Sequence, residues 1–448
     1  MSSLLDSNQE LYLHTAMTNT VDSPENLLRL KRWQTSTFLV MLFGYIGYYL
    51  CRVNLPNAFP LLSETFALTN AELGLIITYS ELSYSAGKFI NGPLADKLGG
   101  KKFFLLGMAG AIFFNVLFTY GTTLTHFIII WCFARFFLSM GWGGLAKVIG
   151  SWYESKSYGT VMGFISINFQ FGGVVAAMFS GFLLQMGSDW KGLFLYPAGV
   201  LTLIMIWSAL ASRETPQDVV PGTKFGANHD TKNHIKKSES VRANIVQLLK
   251  LPLFHKLLIF SFFSHVLRIF FFTWTPKLLV DIGMGTTTAI FSSAVFPTLG
   301  CVGTILLGWY TDIHVKNGDR AKPMWIMLLG LAACLFLISH LMKAQADHLI
   351  AIVIIIGFCG FFLLGPYSMS AGALSLDIAG PKVAGTCTGL VDGVGYIGGA
   401  LAGWGAGKIA DGSGGWQQVF LILGGFAIVA TFSAFLLSLA FQKRYQQK

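Results

Sequence analysis

The sequence is short of charge. Asp, Glu, Lys and Arg make up 12% of its 448 residues, where a soluble domain carries about 25%. With 54% hydrophobic residues and a mean hydropathy of +0.61, a water-soluble fold could not bury the apolar surface on offer. Acids are scarcer than bases, 21 Asp and Glu against 31 Lys and Arg, for a net charge of +10. In a soluble chain that surplus would point to nucleic acid. In a membrane protein the positive-inside rule is the first explanation, and no nucleic-acid partner is expected. Cysteine supplies neither a disulfide framework nor a metal centre. Cys51, Cys132, Cys301, Cys334, Cys359 and Cys387 all fall inside apolar runs without paired spacing. Residues 1–33 are polar and lack an early apolar stretch, so no cleavable signal peptide is expected. The apolar runs contain no nucleophile–base pair and no metal-ligand spacing, which argues against an enzyme, a metal or a cofactor.

What is present is a series of long apolar segments. A hydrocarbon core of about 30 Å needs about 20 apolar residues per helix. Twelve segments meet that need, approximately 35–62, 71–96, 102–122, 125–149, 159–186, 192–211, 254–281, 287–311, 323–342, 347–372, 384–410 and 417–441. The expected fold is therefore all-α and integral to the membrane, with twelve transmembrane helices in two six-helix halves related by a pseudo-twofold. The expected division is a tail 1–33, a bundle 34–212, a linker 213–250, a bundle 251–442 and a tail 443–448. The linker, with His229, Asp230, His234, Lys236 and Lys237, reads as a solvated connection.

The cations are distributed unevenly. On the side of the termini and linker there are 22, against Lys191, Lys277, Lys343 and Lys408 on the other, which places both termini in the cytoplasm. Five remain inside the spans: Arg52, Lys88, Arg135, Lys147 and Arg268. On insertion scales each costs about 2.5–3.5 kcal/mol at the bilayer centre, so each needs a compensating role. Lys147 lies near a cytoplasmic end and can snorkel, and Arg135 suits a structural gating pair. Arg52 and Arg268 differ. Each lies about halfway along the first helix of its half, 216 residues apart. Two planar donor forks facing one cavity suit a tetrahedral dianion such as phosphate. Lys88 adds a movable point charge, Tyr45 and Tyr49 share the helical face of Arg52, and His265 precedes Arg268 by one turn, with a titration near that of a phosphate. Three intramembrane acids, Glu81, Asp281 and Asp392, could neutralise the pair.

The same offset of 216 residues relates two loop devices. Gly92 precedes Asp96 and Lys97 in the first half, and Gly308 precedes Asp312 in the second. Glycine permits close helix packing, and aspartate at a helix end can latch one conformation. The doubled pattern resembles the loop signature of the major facilitator superfamily. Arg135 before Gly141 resembles a second signature of that superfamily, with Ser139 in place of a usual glycine.

Across its length the chain also resembles the organophosphate:phosphate antiporter family. The stretches are 48–52, 87–89, 140–142 with Lys147, 151–153, 172–173, 213–218, 267–268, 274–276, 365–366, 384–386 and 395–399. The resemblance implies exchange of an organophosphate for inorganic phosphate by alternating access, with Arg52 and Arg268 gripping phosphate. It implies that Lys88, Tyr45, Tyr49 and Tyr396 line the cavity, with no cofactor and a likeness to monomeric carriers. Four positions depart from the glycerol-phosphate type. Val53 follows Arg52, Phe169 stands between Asn168 and Gln170 where a histidine is usual, Leu364 precedes Gly365, and Asp392 replaces a small residue. Gln170 and Asp392 thereby become candidate substrate contacts. A transporter-like sugar-phosphate sensor and a proton-coupled organic-anion symporter remain open. With no retention tail in Tyr445-Gln446-Gln447-Lys448, the expected location is a bacterial inner membrane.

Overall fold

The computed structural model describes residues 23–226, 241–315, 319–342, 348–379 and 383–446. Twelve long helical elements follow one another: α1 (Pro24–Phe66), α2 (Asn70–Leu98), α3 (Gly100–Phe118), α4 (Leu124–Trp152), α5 in two segments (Ser155–Ser166 and Asn168–Gln185) and α6 (Gly192–Ala211). The second half repeats them as α7 (Pro252–Asp281), α8 (Thr286–His314), α9 (Ala321–Leu341), α10 (Leu349–Ala379), α11 (Ala384–Ala410) and α12 (Gly415–Gln446). Each of the twelve apolar segments became one of them.

The starts are written in the sequence. Ser23 caps α1 by accepting from Asn26 N at 3.3 Å, with Pro24 at the first helical position. Thr69 and Glu72 form a reciprocal capping box at the start of α2. Interruptions are less legible. α4 is re-set at Ser139, α5 at Ile167 and α8 at Ala294, and α10 passes through a π-helical turn, Ser370–Leu374.

Ten of the twelve elements are long and apolar enough to cross a membrane by themselves. The other two are α2, with Glu72, Glu81, Lys88, Asp96 and Lys97, and α11, with Asp392 and nine glycines. These two pack on each other, one from each half. A Cβ on Gly403 would fall 2.6 Å from the carbonyl oxygen of Gly74, and one on Gly407 would fall 2.2 Å from that of Asn70. Small residues thus let the two backbones touch, as helices in lipid require for close van der Waals packing. Thr78 ties the contact by donating to the carbonyl of Ala400 at 2.7 Å and accepting from Trp404 N at 2.9 Å. Asp411 then crosses between the halves and accepts from Asn70 N at 3.2 Å and Ala71 N at 2.7 Å, a carboxylate on a helix N-terminus. Phe59 of α1 against Trp274 of α7 (5.5 Å between rings) and Gly181 of α5 under Phe291 of α8 continue the seam. These contacts close the molecule on the face opposite its termini.

The linker departs from the expected solvated connection over its first part. Glu214 accepts from the N-terminal amides of α3, Gly100 N at 2.5 Å and Lys101 N at 2.8 Å, and Trp152 Nε1 donates to the carbonyl of Arg213 at 3.0 Å. The Arg213 guanidinium lies 4.0 Å from the ring centre of Trp33. Unfilled helix-end donors and an indole draw this segment onto the first half. His229, Asp230, His234, Lys236 and Lys237 lie outside the described residues. A short helix, Val241–Leu249, leads into α7.

Candidate functional site

α1 and α7 bring Arg52 and Arg268 to one cavity between the halves, lined also by Tyr49, Glu81, Arg135 and Phe272. The two guanidiniums are held differently. Arg52 Nη1 donates to Tyr84 Oη at 3.3 Å, and its carbon lies 4.7 Å and 5.3 Å from the ring centres of Tyr84 and Tyr49. Arg268 is 4% exposed, and its Nε and Nη1 have no hydrogen-bond partner among the described residues. What it has is ring faces: Tyr367 at 4.8 Å, Phe272 at 5.1 Å and Phe169 at 5.3 Å. Cation–π contact offsets part of the desolvation but leaves the hydrogen-bond donors free. A buried donor fork without an acceptor is the feature of this structure most in need of an anion.

The acids do not neutralise the pair as expected. Glu81 is ion-paired with Arg135, both nearly inaccessible, and Asp281 is paired with Lys277 and accepts from Trp416 Nε1 at 3.0 Å. Both carboxylates found a nearer cation on a neighbouring helix or turn. Asp392 stays within electrostatic reach of Lys88 and Arg268. Lys88 lies 5.4 Å from the ring centre of Tyr84, which Arg135 also faces at 4.5 Å. Tyr45 packs on Tyr49 (5.6 Å) and Trp142 (5.5 Å), one layer behind the arginine. Tyr396 bridges the halves, 4.7 Å from Tyr84 and 5.2 Å from His265.

Three expected roles change. His265 is fully buried, its Nδ1 on the Ser261 carbonyl at 2.9 Å and its Nε2 on Tyr367 Oη at 3.1 Å, so both nitrogens are occupied and neither faces a ligand. Gln170 donates to Thr304 Oγ1 at 2.6 Å across the halves, so its amide nitrogen serves the α5–α8 contact rather than the cavity. Gly308 has open space where a Cβ would stand, so the close packing expected there is not found. Its companion Asp312 lies 3.7 Å from Arg320, which reaches Asp377 at 3.6 Å and links the ends of α8 and α10. In the first half the side chains at Gly92 and Asp96 lie outside the described ones, and Lys97 is exposed. Lys147 donates to the carbonyl of Ala95 at 2.9 Å, capping the end of α2 rather than reaching for water.

Two site residues were missed from the sequence. Tyr84 lies four before Lys88 on the same helix face, a spacing that could have flagged it. Tyr367 directly follows Gly365-Pro366, and no charged residue stands at helical spacing from it to flag it.

The chain is similar along most of its length to proteins of known name. It is 28% identical to a "Glycerol-3-phosphate transporter" of Bacillus subtilis (strain 168), over 83% of this chain and 84% of that one. It is 27% identical to a "Probable hexose phosphate transport protein" of Chlamydia trachomatis, over 89% and 90%, and 24% identical to a "Membrane sensor protein UhpC" of Escherichia coli (strain K12), over 91% and 92%. Among solved structures, an inward-facing bacterial homologue of the lysosomal transporter Spinster superposes with a TM-score of 0.73 at 16% identity, covering 92% of this chain and 98% of that one. A D-xylose–proton symporter gives 0.72 at 14% identity, covering 90% and 97%. Residues 41–403 match the family model of the Major Facilitator Superfamily, and the chain belongs to that superfamily.

Proposed function

We propose that the protein is a secondary transporter that exchanges an organophosphate, of the sugar-phosphate or glycerol-phosphate class, for inorganic phosphate. The observation that carries this reading is Arg268, buried with two guanidinium nitrogens unsatisfied, facing the same cavity as Arg52. The names of the relatives agree with it. A dianion between the arginines of α1 and α7 draws the halves together; without it their repulsion resists closure, so an empty carrier crosses slowly and exchange becomes obligatory. Arg52 and Arg268 grip the phosphate, Lys88 and Asp392 set the local charge balance, and Tyr45, Tyr49 and Tyr396 form the aromatic wall. Gly92, Asp96 and Lys97 at the end of α2, Gly308 and Asp312 at the end of α8, and Arg135 govern the conformational change. In this reading both termini are cytoplasmic, which the cation bias supports, and the membrane is a bacterial inner one, which the bacterial relatives support; the closed face is then the outer one and the carrier loads from the cytoplasm. Each monomer holds a complete cavity.

The test is uptake of labelled phosphate, glycerol 3-phosphate and glucose 6-phosphate into proteoliposomes with and without internal phosphate. Uptake that needs internal phosphate, and that disappears in Arg52→Ala and in Arg268→Ala, is the expected result; robust sugar-phosphate uptake by either variant sinks the proposal. A second reading, a sugar-phosphate sensor of the same build, is favoured by the likeness to UhpC. It predicts ligand-induced thermal stabilisation with no counterflow.

A further inference from the structure

We infer that Tyr367, held by His265, reads a hydroxyl group on the organic part of the substrate, as a hydrogen-bond acceptor set beside the phosphate-gripping Arg268. The inference rests on the organophosphate reading and extends it, since gripping phosphate does not by itself distinguish one carbon skeleton from another.

One hydrogen-bond chain fixes the direction of every proton in it. Ser261 Oγ donates to the carbonyl of Val391 at 2.9 Å, so its hydrogen is committed. His265 Nδ1 lies 2.9 Å from the Ser261 carbonyl oxygen and 3.3 Å from Ser261 Oγ, and both are left as acceptors. Nδ1 therefore carries the ring proton. The ring is 0% exposed and one helical turn from Arg268, and no carboxylate is hydrogen-bonded to it among the described residues. A second proton would place an imidazolium next to a guanidinium in a dry site, so Nε2 is bare. The partner of Nε2 is Tyr367 Oη at 3.1 Å, and the tyrosine must donate to it.

The tyrosine oxygen is thus left with lone pairs alone. Tyr367 is partly exposed whereas His265 is sealed, so a ligand meets the tyrosine. Over the same ring, 4.8 Å away, stands the Arg268 guanidinium with its free Nε and Nη1. The two side chains make an anion-binding fork next to an obligate acceptor. Ester phosphate oxygens fit the fork, and a hydroxyl hydrogen on a nearby carbon fits the acceptor. An alkyl phosphate would leave the tyrosine oxygen desolvated without a donor, the kind of omission that polar sites reject steeply. Gly395 completes the device: a Cβ there would fall 2.2 Å from His265 Nδ1, so only glycine lets the imidazole sit in line.

The experiment is competition for phosphate exchange in proteoliposomes, with thermal stabilisation of the purified full chain as a second readout. Two ligand pairs are compared: glycerol 3-phosphate against propyl phosphate, and glucose 6-phosphate against cyclohexylmethyl phosphate. The wild-type protein is expected to prefer the hydroxylated member of at least one pair by about tenfold or more. Tyr367→Phe and His265→Ala should each bring that ratio to within about twofold of unity, and the double variant no further, because the two act as one unit. A merely structural role would weaken all four ligands together and leave the ratio intact, which overturns the inference. Loss of the ratio in His265→Ala with its retention in Tyr367→Phe also overturns it, as does a wild-type protein with no preference. A wild-type protein that none of the four ligands stabilises, and that exchanges none of them for phosphate, removes the organophosphate reading itself.

Discussion

Three arginines lie in the membrane interior of this molecule, and each has a different kind of company. Among the described residues Arg135 has a carboxylate, Glu81; Arg52 has a phenol, Tyr84; and Arg268 has aromatic faces, with Nε and Nη1 left unpaired. The order runs from structural to available. A buried ion pair that loses one member leaves a bare charge, which costs about 3–5 kcal/mol, whereas replacing both by apolar residues is close to neutral. Glu81→Gln is therefore expected to lower the unfolding midpoint in detergent markedly, and Glu81→Met combined with Arg135→Met to recover most of the loss. A double variant as unstable as the single one would show that Glu81 does something other than neutralise Arg135. The sequence placed Arg52 and Arg268 through their shared offset of 216 residues. It could not say whether Glu81 would meet Arg52 or Arg135, because both lie on helices beside α2 and the choice depends on how α2 is rotated. For the same reason His265 looked like a ligand contact: one helical turn from Arg268 says nothing about which ring nitrogen meets which neighbour.

At the scale of elements, the twelve spans were legible because about 20 apolar residues in a row have few other uses. The breaks in α4, α5 and α8 were not, since Ser139, Ile167 and Ala294 carry no local signal for one. Nor was the docking of Glu214 on α3, which in sequence is one acid in a polar stretch. The α2–α11 contact is the element most exposed to test. In Gly403→Ala the new methyl must displace the backbone of α2 at Gly74 and Thr78. Spin labels at Met186 and Ile350, which are 69% and 78% exposed on the closed face, should report a longer distance in the variant than in the parent. An unchanged distance distribution would mean that this contact does not hold the face shut.

For the whole molecule, the cation bias makes a prediction independent of substrate. In a cysteine-free background, Leu28→Cys and Tyr120→Cys place exposed thiols at opposite ends. An impermeant maleimide added to intact cells should label position 120 and spare position 28. Labelling of position 28 alone would invert the orientation and with it the side from which the cavity loads. The latch of the closed face is Asp411 of the second half on the amides of Asn70 and Ala71, at the N-terminus of α2 in the first.

The two helices least suited to lipid carry a consequence for how the molecule is built. α2 emerges from the ribosome some 300 residues before α11, the helix whose glycines receive its backbone. During that interval Glu81 needs a shelter from hydrocarbon, where a lone ionised side chain costs about 2.5–3.5 kcal/mol on insertion scales. Arg135 on α4 arrives first and supplies it. The ion pair beside the cavity is therefore expected to serve assembly as well, holding a marginal span in the bilayer until α11 has been made.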